Sequence, residues 1–126
     1  MTRIGRLKRR AEFLAAAAAN RKWVAPGLVL QAHVPPVPPE SDDGDIRLGF
    51  TASRKVGNAV ARNRAKRRLR ALAVELLKDA PSPAQPTDLV LIARPATVSR
   101  DFAALRQDLL RGLAKLGVAL KAGGTA

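Results

Sequence analysis

No cysteine occurs in the 126 residues, which excludes disulfides and thiolate metal sites and fits a reducing compartment. Aromatics are few, Phe13, Trp23, Phe50 and Phe102, so any core is built mainly of Leu, Val, Ile and Ala. Histidine occurs once, at His33, with no second ligand spaced to join it, and a metal or catalytic role is not expected there. Apolar runs stay short of the ~18 residues of a membrane span, and the charged start is not followed by a signal-peptide core. The expectation is a protein with no membrane partner, located in the cytoplasm. Acids are scarce too: ten stand against 23 lysines and arginines, giving a net charge of +13 and a pI near 11.7. That excess repels itself on a small chain, so it implies an acidic partner, or marginal stability at low salt without one. The length leaves room for one domain with a modest core, expected over residues 1–120, with 121–126 as a disordered tail.

What is present concentrates between Ser53 and Arg70, which carry eight of the 23 basic residues and no acid. A helix is predicted from about Asn58, a good capping residue, with Gly57 just before it to turn the chain. At about 100° per residue, Ala65, Leu69, Leu72, Ala73 and Leu76 gather on one side and would pack on a core. Asn63, Arg64, Arg67 and Arg68 fall on the opposite arc, Lys66 and Arg70 lie at its boundary, and Arg62 projects from the first turn on the apolar side. A basic helix face on an apolar anchor suits phosphate binding, because guanidinium forks then reach the backbone of a nucleic acid from a rigid support.

Around this helix the pattern alternates. Residues 1–10 are basic, and Glu12–Ala19 reads as an alanine-rich helix on which Phe13 and Ala17 share a face. Lys22–Ala25 and Leu28–Val34 read as strands separated by Pro26-Gly27, the second alternating Leu28, Leu30, Ala32 and Val34 against Val29, Gln31 and His33. Trp23 is open between core packing and a surface contact. Residues 35–45 are rich in proline and hold four of the ten acids, which reads as a mobile loop joining two antiparallel strands and lacks the ligand order of a calcium loop. Ile46–Ser53 alternates as a strand buried on one face, Asp88–Ala93 is a continuous apolar run and therefore a central strand, and Asp101–Leu120 is a last amphipathic helix. The order helix-strand-strand-strand-helix-strand-helix predicts an α+β fold, a two-layer sandwich of helices on a four-stranded sheet.

The order Lys55-Val56-Gly57-Asn58-Ala59-Val60, then Arg62-Asn63-Arg64, Lys66-Arg67 and Arg70, is more specific than richness in arginine. With Arg6-Leu7-Lys8, Phe13, Arg47, Gly49-Phe50, Ser53 and the run Asp88 to Pro95, it resembles the protein subunit of bacterial ribonuclease P over roughly residues 6–115. The resemblance implies a fold similar to a ribosomal-protein domain with a left-handed crossover. It implies a subunit of an RNA-based endonuclease that removes the 5′ leader of precursor tRNA, in which the RNA carries catalysis and mainly holds the magnesium ions, while the protein lowers the magnesium requirement. The partners are then ribonuclease P RNA and precursor tRNA, and no DNA. Carried over position by position, Arg54, Lys55, Asn58, Arg62, Asn63, Arg64, Lys66, Arg67, Arg68 and Arg70 are the RNA-binding set. Phe13, Ala17, Arg54, Lys55 and Arg94 are the leader cleft and its rim, and none of them is catalytic or a metal ligand. Family members often carry an aromatic where Ala17 stands, so stacking in the cleft is expected to be weaker here or supplied by another residue, with Trp23 a candidate. Two other classes share the basic face: a ribosomal or assembly-factor RNA-binding module, and a DNA-binding protein, against which stands the lack of a helix-turn-helix or an evident base-reading set.

Overall fold

The computed structural model describes residues 3–35, 45–81, 83 and 85–118. The elements in chain order are β1 (Ile4–Arg6), α1 (Arg10–Ala18), β2 (Lys22–Val24), β3 (Leu28–His33), β4 (Ile46–Thr51), α2 (Ala59–Leu77), β5 (Thr87–Ala93) and α3 (Phe102–Lys115), with short 3-10 turns at Arg54–Val56 and Pro95–Val98. The strands form one sheet in the order β1-β4-β5-β3-β2. β5 is central, parallel to β4 and antiparallel to β3, which is why its sequence is apolar on both faces.

Alternation sorts the side chains. Leu28, Leu30, Ala32, Ile46, Leu48, Leu89, Leu91 and Ala93 point to one face and meet Ala65, Leu69, Leu72 and Leu76 of α2 and Leu105, Leu109 and Leu113 of α3 in the main core. Each buried leucine contributes about 2 kcal/mol relative to exposure, so this layer carries most of the stability. The other face is partly covered by α1, where Phe13 and Ala16 cluster with Leu7, Val90 and Ile92.

Three expectations change. The sheet has five strands rather than four, because Ile4–Arg6 pairs in parallel with Ile46–Leu48; a three-residue edge strand with one large apolar side chain is too short to show a period. β3 and β4 run in opposite directions but are not neighbours, since β5 lies between them; the proline-rich segment 36–44 lies outside the described residues. The last helix stops at Lys115, with Gly117 in the left-handed region at φ 78° just beyond the Leu116 cap, a conformation that ends a helix. The tail expected at 121–126 is outside the described residues.

α1 is fastened by charge as well as by packing. Arg47 and Asp88 face each other across β4 and β5 and form a two-pronged pair, Nε to Oδ1 and Nη2 to Oδ2, each 2.8 Å, with both residues buried. Nη1 of Arg47 reaches Glu12 of α1, whose other oxygen accepts the backbone N–H groups of Lys8 and Arg9 at 2.8 Å. Burial pushes the Glu12 carboxyl up, but those two amides and Arg47 outweigh it and hold the group below its ordinary value. The hydrogen bond to Asp88 holds the Arg47 guanidinium above its ordinary value, so it is charged throughout the accessible pH range.

Candidate nucleic-acid interface

α2 starts where the sequence places it. Gly57, at φ 144°, makes the turn that a side chain resists, and Asn58 Oδ1 accepts the Ala61 N–H at 2.9 Å. Before it, Val56 is buried and anchors the Arg54–Val56 turn, leaving Arg54 and Lys55 exposed. Among the described residues, none of the six basic side chains of α2 forms a salt bridge, while Glu12, Asp45, Glu75, Asp88 and Asp108 pair with Arg3, Arg47, Arg100 and Arg106. Among the described residues the positive field of the helix therefore has no acid set directly against it.

Its cations nevertheless differ in what they hold. Arg62 donates to the Gly57 carbonyl at 2.9 Å, so it closes back on the helix entry. Arg64 Nε donates to Val98 O at 3.1 Å. Arg68 donates to the carbonyls of Thr97, at 2.6 Å, and Arg100, and its guanidinium lies 5.6 Å from the centre of the Phe102 ring. Arg64 and Arg68 thus staple α2 to the 3-10 turn after β5 and to the start of α3. The acceptors lie about thirty residues away in the chain, and no helical projection could have found them.

Asn63, Arg67 and Arg70, with Lys66 one turn from Asn63 and Arg70, line a shallow groove headed by the exposed Val60. None of the four side chains hydrogen-bonds to the protein among the described residues, so their donors are not used within the described fold. Arg70 instead lies over the ring of Phe50, 5.4 Å from its centre. The sequence projection groups Arg64 and Arg68 with Arg67; the structure divides them, with Arg68 committed to carbonyls and Lys66 and Arg70 joined to the free stripe. Phe50 reads as a core residue from its alternation, and only the fold brings it under Arg70.

Phe13 and Ala17 lie on α1, on the opposite side of the sheet from α2. There the register sets three rows across β3, β5 and β4: His33, Asp88 and Arg47; Gln31, Val90 and Gly49; Val29, Ile92 and Thr51. Phe13 rests on Gly49, where a Cβ would lie 2.5 Å from its Cε1, and it stays half-buried with Ala17 exposed one turn on. Glycine is required here because any side chain displaces the ring. Beside Phe13 the third row is half-buried, and Arg54 and Lys55 follow the end of β4 at that edge. Arg94 sits at the same end of β5, but its Nη1 donates to Ala25 O at 2.7 Å and holds the turn between β2 and β3. Trp23 pairs with Leu30 and packs on Gly112 of α3, on the main-core face. It is therefore not a substitute for the aromatic absent at Ala17.

The described acids do not converge on a cation position. Among the described residues no group of three or more His, Asp or Glu side chains is placed to hold a metal ion. Asp88 is taken by Arg47, Asp108 by Arg100 and the Gly27 N–H, and Asp101 by the Ala104 N–H at the start of α3. Among the described residues, His33 Nε2 is enclosed without a partner and has no neighbouring ligand set. The donors of the described chain do not fit magnesium. No helix among the described residues is long and apolar enough to cross a membrane.

The family model for ribonuclease P matches residues 1–117. The ribonuclease P protein component of Paramagnetospirillum magneticum is 45% identical over 94% of this chain and 87% of its own length. That of Gluconacetobacter diazotrophicus is 52% identical over 92% and 94%. Among solved structures, the ribonuclease P protein of Staphylococcus aureus shares the fold with a TM-score of 0.68 at 24% identity, covering 90% of this chain and 95% of that one. The Thermotoga maritima protein gives a TM-score of 0.65 at 25% identity, covering 84% and 92%.

Proposed function

The chain belongs to the ribonuclease P protein family and is the protein component of that ribonucleoprotein; from this premise we propose that the stripe Asn63, Lys66, Arg67 and Arg70 grips ribonuclease P RNA, and that the groove beside Phe13 receives the single-stranded 5′ leader of precursor tRNA. The observation that carries the reading is the stripe of cations that have no acid partner and no internal hydrogen bond among the described residues, on a helix whose neighbouring arginines are used to hold it rigid. Arg54 and Lys55 continue the positive surface toward the groove, and Asn58 fixes the helix entry between them. The RNA subunit carries out the cleavage and holds the magnesium ions, and the protein acts in the cytoplasm by position and charge. In the protein, the described Asp88, Asp108 and Asp101 serve the fold through Arg47, Arg100 and the Ala104 N–H.

The leader assignment is tested at Phe13 and Gly49. Phe13→Ala is expected to cost on the order of 1–3 kcal/mol of binding by the assembled complex to tRNA carrying a leader, and nothing for mature tRNA. Gly49→Ala keeps the aromatic but displaces it, because the added Cβ meets the ring, and should reproduce part of the same leader-specific loss. Equal losses for both RNAs, in variants whose melting shows them folded, would reject the groove as the leader path.

A further inference from the structure

Two arginines of α2 lie over aromatic rings at nearly the same distance, Arg68 over Phe102 at 5.6 Å and Arg70 over Phe50 at 5.4 Å. Their donors are used differently. Those of Arg68 go to two backbone carbonyls, so that stack completes a contact internal to the fold. The Arg70 side chain makes no hydrogen bond among the described residues, so its ring contact serves no internal bond seen there.

We propose that Phe50 is a positioning residue for the RNA contact of Arg70. A guanidinium on a ring uses one π-face and leaves its N–H donors free in the plane, directed outward along the fork that matches phosphate. Phe50 suits this task by its place. It shares the sheet face of Ile46 and Leu48, packs against the main core and is half-buried, so the ring is fixed. Pairing of β1 with β4 ends at Arg6 and Leu48, so the strand edge beside Phe50 is not covered by β1. A long side chain that is otherwise free loses rotamer freedom on meeting RNA, and a stacked one has less to lose. Phe50 thus acts through Arg70 on affinity for RNA, and need not touch RNA itself. The inference rests on the stripe being the RNA-binding face.

The test is a double-mutant cycle on binding of the whole chain to ribonuclease P RNA across a salt titration, with Phe50→Leu, Phe50→Met, Phe50→Tyr, Arg70→Ala and Phe50→Leu/Arg70→Ala. Phe50→Leu is expected to weaken binding about two- to fivefold, the size of an exposed cation–π contact, with Phe50→Tyr retaining wild-type affinity. In the Arg70→Ala background the same change should have no further effect. Phe50→Met, similar in volume and without a ring, replaces Phe50→Leu if that variant melts before binding is measured. An equal loss from Phe50→Leu with and without Arg70 would assign the residue to packing alone and overturn the proposal. Loss on Arg70→Ala with none from Phe50→Leu or Phe50→Met would overturn it while leaving the stripe intact. No loss on Arg70→Ala would remove the stripe contact of Arg70 and the proposal with it.

Discussion

Reversing Lys66 and Arg67 together to glutamate is expected to weaken binding to ribonuclease P RNA by roughly 25- to 60-fold near about 0.1 M salt. That size follows from counterion release: each phosphate that is no longer neutralised flattens the log–log salt dependence by about 0.7–0.9, which is roughly five- to eightfold per phosphate at that salt. The pair is chosen because neither side chain hydrogen-bonds to the protein among the described residues, whereas Arg64 and Arg68 hold carbonyls of Val98, Thr97 and Arg100. Thermal melting should therefore be nearly unchanged. A salt titration reads both the affinity and the slope, and an unchanged slope would mean that the stripe is not the contact surface.

A comparably large effect, on stability, is expected from Asp88→Leu. The change leaves Arg47 buried with only Glu12 as a partner, and removing one member of a buried pair costs about 3–5 kcal/mol. That is a large share of the roughly 5–15 kcal/mol that holds a small domain together. Urea unfolding of the single variant and of Arg47→Met/Asp88→Leu separates charge from packing, since the double variant should recover most of the loss. The same network sets an acid limit. The Glu12 pKa is lower folded than unfolded, so its contribution is present above the ordinary carboxylate value and is lost as pH falls through the depressed folded value. Glu12→Gln should remove that part of the acid dependence. A fully folded Asp88→Leu with unchanged unfolding midpoint would show that the pair does not fasten the sheet.

The features legible in the sequence are those set by local chemistry. Asn58 as a cap, Gly57 as the turn, the apolar stripe of Ala65, Leu69, Leu72 and Leu76, and β5 as a strand buried on both faces all follow from periods and residue preferences within one element. What is not legible depends on contacts between distant segments. β1 exists because β4 offers it an edge, not because Ile4–Arg6 prefers to be extended. Whether an arginine of α2 is free or committed depends on carbonyls in the turn at Pro95–Val98, and the role of Phe50 depends on α2 crossing its strand. Phe13 is intermediate: its place on α1 is readable, while its seat on Gly49 requires the register of β4 against β5.

If RNA supplies the chemistry and the protein supplies charge and position, one cleavage assay addresses that division directly. Precursor tRNA is incubated with rigorously RNA-free protein, with ribonuclease P RNA alone, and with both, across a magnesium titration. The protein alone should leave the substrate intact at every magnesium concentration, and the RNA alone should cut slowly and only at raised magnesium and salt. Together they should cut at lower magnesium, because the +13 charge of the chain offsets phosphate repulsion where two RNAs meet. Site-specific cleavage by the RNA-free protein, or an RNA whose magnesium requirement the protein does not change, would contradict this division of labour.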